Sequence, residues 1–216
     1  MTKEEIIDQV FIQVTGGVLS TDSNVKRFEI ENLLPPVLAK MITEHQFRAR
    51  AEARQEFVVS RTGSYSPPIE FYRKVELTPV KDEDTCEYYA VLPKLLDLPN
   101  NWNVAQVRYK KTLSADFIRL RSLGESIGLP ETAQGFFFLE SENGGHRLWL
   151  KGAALSTQNI VVHAVVSPDA LEYTDELPVP PSVEADVVSL LVQAYRNQRT
   201  MPGDPTLDDT DINDRQ

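Results

Sequence analysis

Apolar positions in the first ~55 residues recur at helical spacing. Ile6, Ile7, Val10, Phe11 and Val14 follow i, i+3/i+4 until Gly16-Gly17 ends the run, and Thr2 with Glu5 forms a capping box ahead of it. A second helix is expected from Asp22 or Ser23, carrying Val25, Phe28 and Leu33 up to Pro35-Pro36. A third uses Pro36 in its first turn and presents Val37, Leu38, Met41 and Ile42 before the polar "TEHQFRARAEAR". Three such short helices need a further apolar helix to pack against.

After Gln55 the period changes to short β-rich runs broken by Pro, Gly and Asn: "EFVVSR", "IEFYRKVEL", "CEYYAVL", "VAQVRYKK", "GFFFLES", "RLWLKG" and "NIVVHAVV". "ENGGH" marks a hairpin, because Asn and Gly tolerate the positive φ of tight turns. One helix is expected within this region, capped by Ser114 and carrying Phe117, Ile118 and Leu123. "PKLLDLPNNW" (93–102) is too broken by proline for a long helix and reads as a loop. Beyond the extended "ELPVPPS", Val183, Val187, Leu190, Leu191, Ala194 and Tyr195 mark one helical face, with Glu184, Asp186, Ser189, Gln193 and Arg196 opposite. The expected fold is α+β. A helical bundle is formed by both chain ends, 1–55 and 178–200; an antiparallel β-rich domain, 56–177, is inserted into it; and 201–216 is an extended acidic arm.

Composition narrows the function classes. The chain has 216 residues, 41% of them hydrophobic, and no apolar run approaches the ~18 residues of a membrane span. "MTKEEIIDQV" is charged where a secretory signal would be apolar, so the protein is expected to be intracellular when made. The single cysteine, Cys86, excludes an internal disulfide and a multi-thiolate metal site, and reads as a small core residue of a strand. A formal charge of −10 disfavours tight generic binding to nucleic acid. The basic stretches "RARAEAR", "RYKK" and "YRNQR" read as solvated faces.

Motifs for catalysis are missing. "VTGGVLS" lacks the lysine and preceding strand of a phosphate loop and reads as a helix stop. His45, His146 and His163 are scattered: on the polar side of a helix, at a hairpin tip and packed in a strand. They show no metal-ligand spacing. Asp82, Glu83 and Asp84 form a solvated charge run. The chain is therefore expected to be no enzyme and to need no cofactor or metal; a cytosolic small-molecule-binding module or enzyme with a pocket in the β domain is the alternative.

Residues 201–216, "MPGDPTLDDTDINDRQ", hold five Asp and one Arg and follow the most regular helix directly. Asp209-x-Asp211-x-Asn213 opens like a calcium loop, yet Asp214 stands where that loop needs glycine and its twelfth-position glutamate has no counterpart. The composition fits an arm that orders only on a partner. Its candidate contacts are Asp204, Leu207, Asp208, Asp209, Asp211, Ile212 and Asp214.

Residues 165–214, "VVSPDALEYTDELPVPPSVEADVVSLLVQAY…DPTLDDTDIND", resemble virion structural proteins of short-tailed phages, including crAss-like phages. In these a strand ends in a Pro-Asp turn, here Pro168-Asp169. A Leu-Pro-x-Pro segment, here Leu177-Pro178-Val179-Pro180, introduces a C-terminal helix, and an Asp/Asn-rich tail follows. The resemblance implies a head-to-tail connector protein: an adaptor docked beneath the portal as a closed ring, commonly dodecameric. Its C-terminal arm would reach the portal or a neighbouring tail or ring protein, and genome DNA would pass the channel without being held tightly. It implies a place in the virion after assembly in the host cytoplasm, with no membrane contact.

Overall fold

The computed structural model describes residues 1–17, 26–55, 69–99, 102–110, 117–120, 135–142, 145–152, 155–156 and 158–200. Helix α1 (Lys3–Thr15) starts as expected, with Thr2 accepting from the Glu5 N–H and Glu5 accepting from the Thr2 N–H. Gly16 ends it at φ 68°, a left-handed conformation that glycine adopts without steric cost.

Helix α2 (Arg27–Gln55) corrects the expectation of two helices parted at Pro35-Pro36: it begins at Arg27 and runs through both prolines. A proline inside a helix costs about 3 kcal/mol through its missing N–H and its clash with the preceding turn. Ile30, Leu34, Val37, Leu38, Met41 and Ile42 nevertheless form one unbroken stripe, all buried. At about 1.5–3 kcal/mol for each side chain, that stripe outweighs the two breaks. Phe28, expected on the apolar face, is 56% exposed, and Val25 lies outside the described residues.

Helix α3 (Glu184–Thr200) completes the bundle, packing on α1 and α2. Val187 and Leu191 are fully buried, with Val183, Val188, Val192 and Tyr195, against Ile6, Val10, Ile30 and Leu34. Both chain ends thus build one helical core. That apolar cluster also takes in Phe71, Tyr72, Leu96, Leu98, Trp102, Val165 and Val166, which belong to the β region.

The β region contains β1 (Arg73–Leu77), β2 (Val80–Lys81), β3 (Tyr88–Leu92), β4 (Val104–Tyr109), β5 (Ile118–Arg119), β6 (Phe136–Glu142), β7 (Gly145–Lys151) and β8 (Ile160–Ala164). They form a three-stranded sheet, β1-β8-β4, and a five-stranded sheet, β2-β3-β7-β6-β5. All pairings are antiparallel except β5 with β6. The expected "ENGGH" hairpin joins β6 to β7, with Glu142 opposite Gly145. The described part of "PKLLDLPNNW" contains no strand or α-helix, and buries Leu95, Leu96 and Leu98. The run "EFVVSR" lies outside the described residues.

The sheets face each other across a second apolar cluster, including Ala90, Leu92, Val107, Phe137, Leu148, Leu150, Ile160 and Val162. The chain crosses between them four times, and two of these corners show how the crossing is made. At one, the chain passes from β1 into β2 through Thr78-Pro79 and so changes sheet; proline suits a corner because it offers no ladder N–H. At the other, the Phe117 N–H donates to Val107 (2.7 Å), while the Ile118 and Leu120 N–H groups donate to Gly135 and Phe137. These bonds replace the helix expected from Ser114: its described part, Phe117 to Leu120, is extended, and the rest lies outside the described residues. Gly135 is fixed here twice over, by φ 66° and because a Cβ would stand 2.6 Å from the Phe117 ring.

Cys86 departs from expectation too. It is exposed, at φ 60° in the turn before β3, where Asp82 caps the turn by accepting from the Asp84 and Thr85 N–H groups. Alternation would set Cys86 on the inward side with Tyr88, Ala90 and Leu92, but β3 begins only at Tyr88, and the turn at φ 60° takes Cys86 out to solvent.

Candidate partner-docking surfaces

The expected contact residues Asp204, Leu207, Asp208, Asp209, Asp211, Ile212 and Asp214 lie outside the described residues. Their root does not. In the last turns of α3, the Tyr195 hydroxyl donates to Glu29 Oε2 (2.9 Å), and Arg199 donates to the same oxygen (3.3 Å) with its guanidinium over the Tyr195 ring. Arg196 donates to the Gln13 carbonyl at 3.5 Å. The Tyr195 bond, with help from Arg199, holds the Glu29 carboxyl below the usual carboxylate range. Segment 201–216 therefore leaves from a helix end tied to both other helices.

The opposite end of α3 is stitched as well. The Met1 amino group pairs with Glu184, and the Lys3 and Glu4 N–H groups donate to Asp175 and Tyr173. Lys3 is 3% exposed; its ammonium pairs with Glu31 at 2.5 Å, donates to the Leu171 carbonyl and lies over the Tyr173 ring. Glu31 also accepts from the Tyr173 hydroxyl (2.8 Å). Removing Glu31 would leave an ammonium buried without its counter-charge, which costs about 3–5 kcal/mol. Glu31→Ala should therefore lower the urea midpoint strongly, while Lys3→Met with Glu31→Leu restores much of it.

The Lys3 bond holds the Glu31 carboxyl below its ordinary value of 4.5, burial opposing it and Tyr173 assisting. With the folded pKa below the unfolded one, the pairing adds its full stability above the ordinary value. It loses that stability as pH falls through the lower folded value. Urea midpoints read from about pH 3 to 7 should rise with pH in the acidic range, and Glu31→Gln should flatten the rise.

Three surfaces could receive a partner. A cleft of about 770 Å³ lies between the start of β1 (Tyr72, Arg73, Lys74) and the extended segment from Thr174 to Pro181. A smaller one, about 320 Å³, lies between α2 and α3 at Met41, Glu44, His45, Arg48, Asp186, Ser189 and Leu190. The third comprises the outer faces of the sandwich, which differ in character.

On the five-stranded sheet, register places Val80, Tyr89, Trp149 and Phe138 in one row. Phe138 stacks parallel to Trp149 at 6.1 Å, and Trp149 donates to Glu140. On the three-stranded sheet, register instead gathers Lys74, Glu76, Gln106, Arg108, Val161 and His163. Lys110 joins them by donating to Glu76 at 2.6 Å, and Lys74 pairs with Glu76 at 3.4 Å. The bonds from these lysines hold the Glu76 carboxyl below the usual range. Half of this cluster, "RYKK", stands out in the sequence; its union with Lys74 depends on β8 lying between β1 and β4. Alternation marks each strand's outer residues but not which strands pair.

The histidines stay apart, on α2, β7 and β8. His45 lies 5.9 Å from the Phe71 ring; Nδ1 of His146 accepts from the Leu95 N–H at 3.5 Å, and burial pushes its pKa down. Among the described residues no group of three or more His, Cys, Asp or Glu side chains could hold a metal ion, and no helix is long and apolar enough to cross a membrane.

No protein-family model matches the chain. A search of curated proteins returns no significant match.

Proposed function

We propose that the chain is a structural virion protein of a tailed bacteriophage, a ring subunit of the head-to-tail connector below the portal. The observation that carries this reading is the path of residues 165–200. β8 runs into the turn Pro168–Ala170, an extended segment follows through Leu177-Pro178-Val179-Pro180, and α3 leads directly into the Asp-rich 201–216. That is the order of elements in the phage proteins it resembles. The bundle anchoring α3 at both ends supports it further, since an arm that carries load between rings needs a fixed root.

The reading assigns no catalysis, cofactor or metal to the chain. A small-molecule pocket between the two sheets is disfavoured because Val107, Leu148, Ile160 and Val162 are packed together there. Ring contacts are heterologous, one face of a subunit meeting a different face of the next. Mixing the purified chain with the portal protein of the same phage should give, by native mass measurement, one complex holding equal numbers of both. A chain that stays monomeric with portal present contradicts the reading.

The channel should pass DNA without gripping it. A net charge of −10 on each copy, repeated around a ring, repels phosphate. Fluorescence titration with duplex DNA at physiological salt should detect no binding at micromolar concentration.

A further inference from the structure

The outer face of the three-stranded sheet is a local exception on an acidic chain. Lys74, Arg108 and Lys110 stand there around Glu76, with His163 half-buried among them, while Lys74 also borders the cleft lined by Glu70, Asp175, Glu176 and Glu184. We propose that this basic face receives the acidic segment 201–216 of a second copy of the chain. The proposal rests on reading that segment as a partner-binding arm.

Charge complementarity argues for this occupant. The segment brings five Asp and one Arg, and carboxylates form strong charge-assisted bonds with lysine and arginine. Spacing agrees. Register sets Lys74 opposite Gln106 across β8, with Arg108 two residues further along β4, so Lys74 and Arg108 lie about 12 Å apart on the diagonal. Asp204 and Asp208, four residues apart and on one face of an extended segment, are separated by about 13 Å, which matches.

Position favours a neighbour over the chain's own face. Segment 201–216 leaves at the end of α3 tied to Glu29 and Gln13, whereas Lys74 and Glu184, at the start of α3, line one cleft. α3 separates the two by about 25 Å, at 1.5 Å per residue. A return to the same chain's face would use about half of the segment along α3, so Leu207 and Asp208 would not reach it. A neighbouring copy in a ring can take the whole segment.

The test begins with the isotopically labelled full-length chain and an unlabelled peptide of residues 201–216. The peptide should shift backbone resonances of β1, β8 and β4, and high salt should abolish the shifts. Two charge-reversed full-length proteins follow: Lys74→Glu with Arg108→Glu, and Asp208→Lys with Asp209→Lys and Asp211→Lys. Each alone should weaken self-association in sedimentation at least tenfold, with unchanged circular dichroism, and mixing the two should restore it. The proposal is overturned by any of four results: no shifts at millimolar peptide, shifts on the Tyr89–Trp149–Phe138 row instead, no rescue on mixing, or micromolar binding of duplex DNA by the basic face. The portal-binding experiment reads the connector assignment separately, so either can fail alone.

Discussion

Replacing Val187 or Leu191 with Asp should unfold the helical bundle, including α1, far away in sequence. Both side chains are fully buried in the cluster that holds Ile6, Val10, Ile30 and Leu34. An uncompensated buried carboxylate costs about 3–5 kcal/mol, and the lost apolar burial adds about 1.5–3 kcal/mol. A domain stable by about 5–15 kcal/mol has little left after that. Hydrogen exchange in residues 3–14 should lose its protection in either variant, while Gln193→Asp, on the exposed face, should leave it intact. Unchanged protection in 3–14 would mean that the two chain ends do not share a core.

Deleting residues 203–216 should do the opposite, sparing the fold while preventing stable attachment to the portal, because copies no longer joined by their arms do not close the ring that docks there. No described core residue lies beyond Tyr195, and the Tyr195–Glu29–Arg199 contacts remain in the truncated chain. The melting temperature should move by about 1–2 °C at most, the scale of a surface change. The segment can span ~50 Å when extended, enough to cross one subunit and touch the next. Pro202 and Pro205 oppose continuation of the helix, the aspartates offer carboxylates to a partner's Arg or Lys, and Leu207 and Ile212 offer apolar anchors. Unfolding of the truncated protein would assign the segment to the core; normal portal binding would make it dispensable.

Local chemistry was legible in the sequence where one segment decided its own structure. The Thr2–Glu5 box, the Gly16 stop, the "ENGGH" hairpin and the buried face of α3 all depend on residues a few positions apart. Misreadings occurred where distant packing overruled a local signal. Pro35-Pro36 signals a break, but the stripe from Ile30 to Ile42 is held by helices from both chain ends. Phe117 and Ile118 fit a helical face, yet their N–H groups are claimed by Val107 and Gly135. Val188 and Val192 were not on the expected face of α3, because three-helix packing buries a wider stripe than one period suggests. The basic face was half visible: "RYKK" can be read directly, whereas Lys74 joins it only through β8.

The central claim is that this chain is a ring subunit of a phage connector. Its most direct test is quantitative mass spectrometry of purified particles, counting this chain against the portal protein. The account predicts that the chain is present in every preparation at a fixed ratio near one copy for each portal subunit, about twelve in each particle. Its absence from particles that contain the portal would contradict the account.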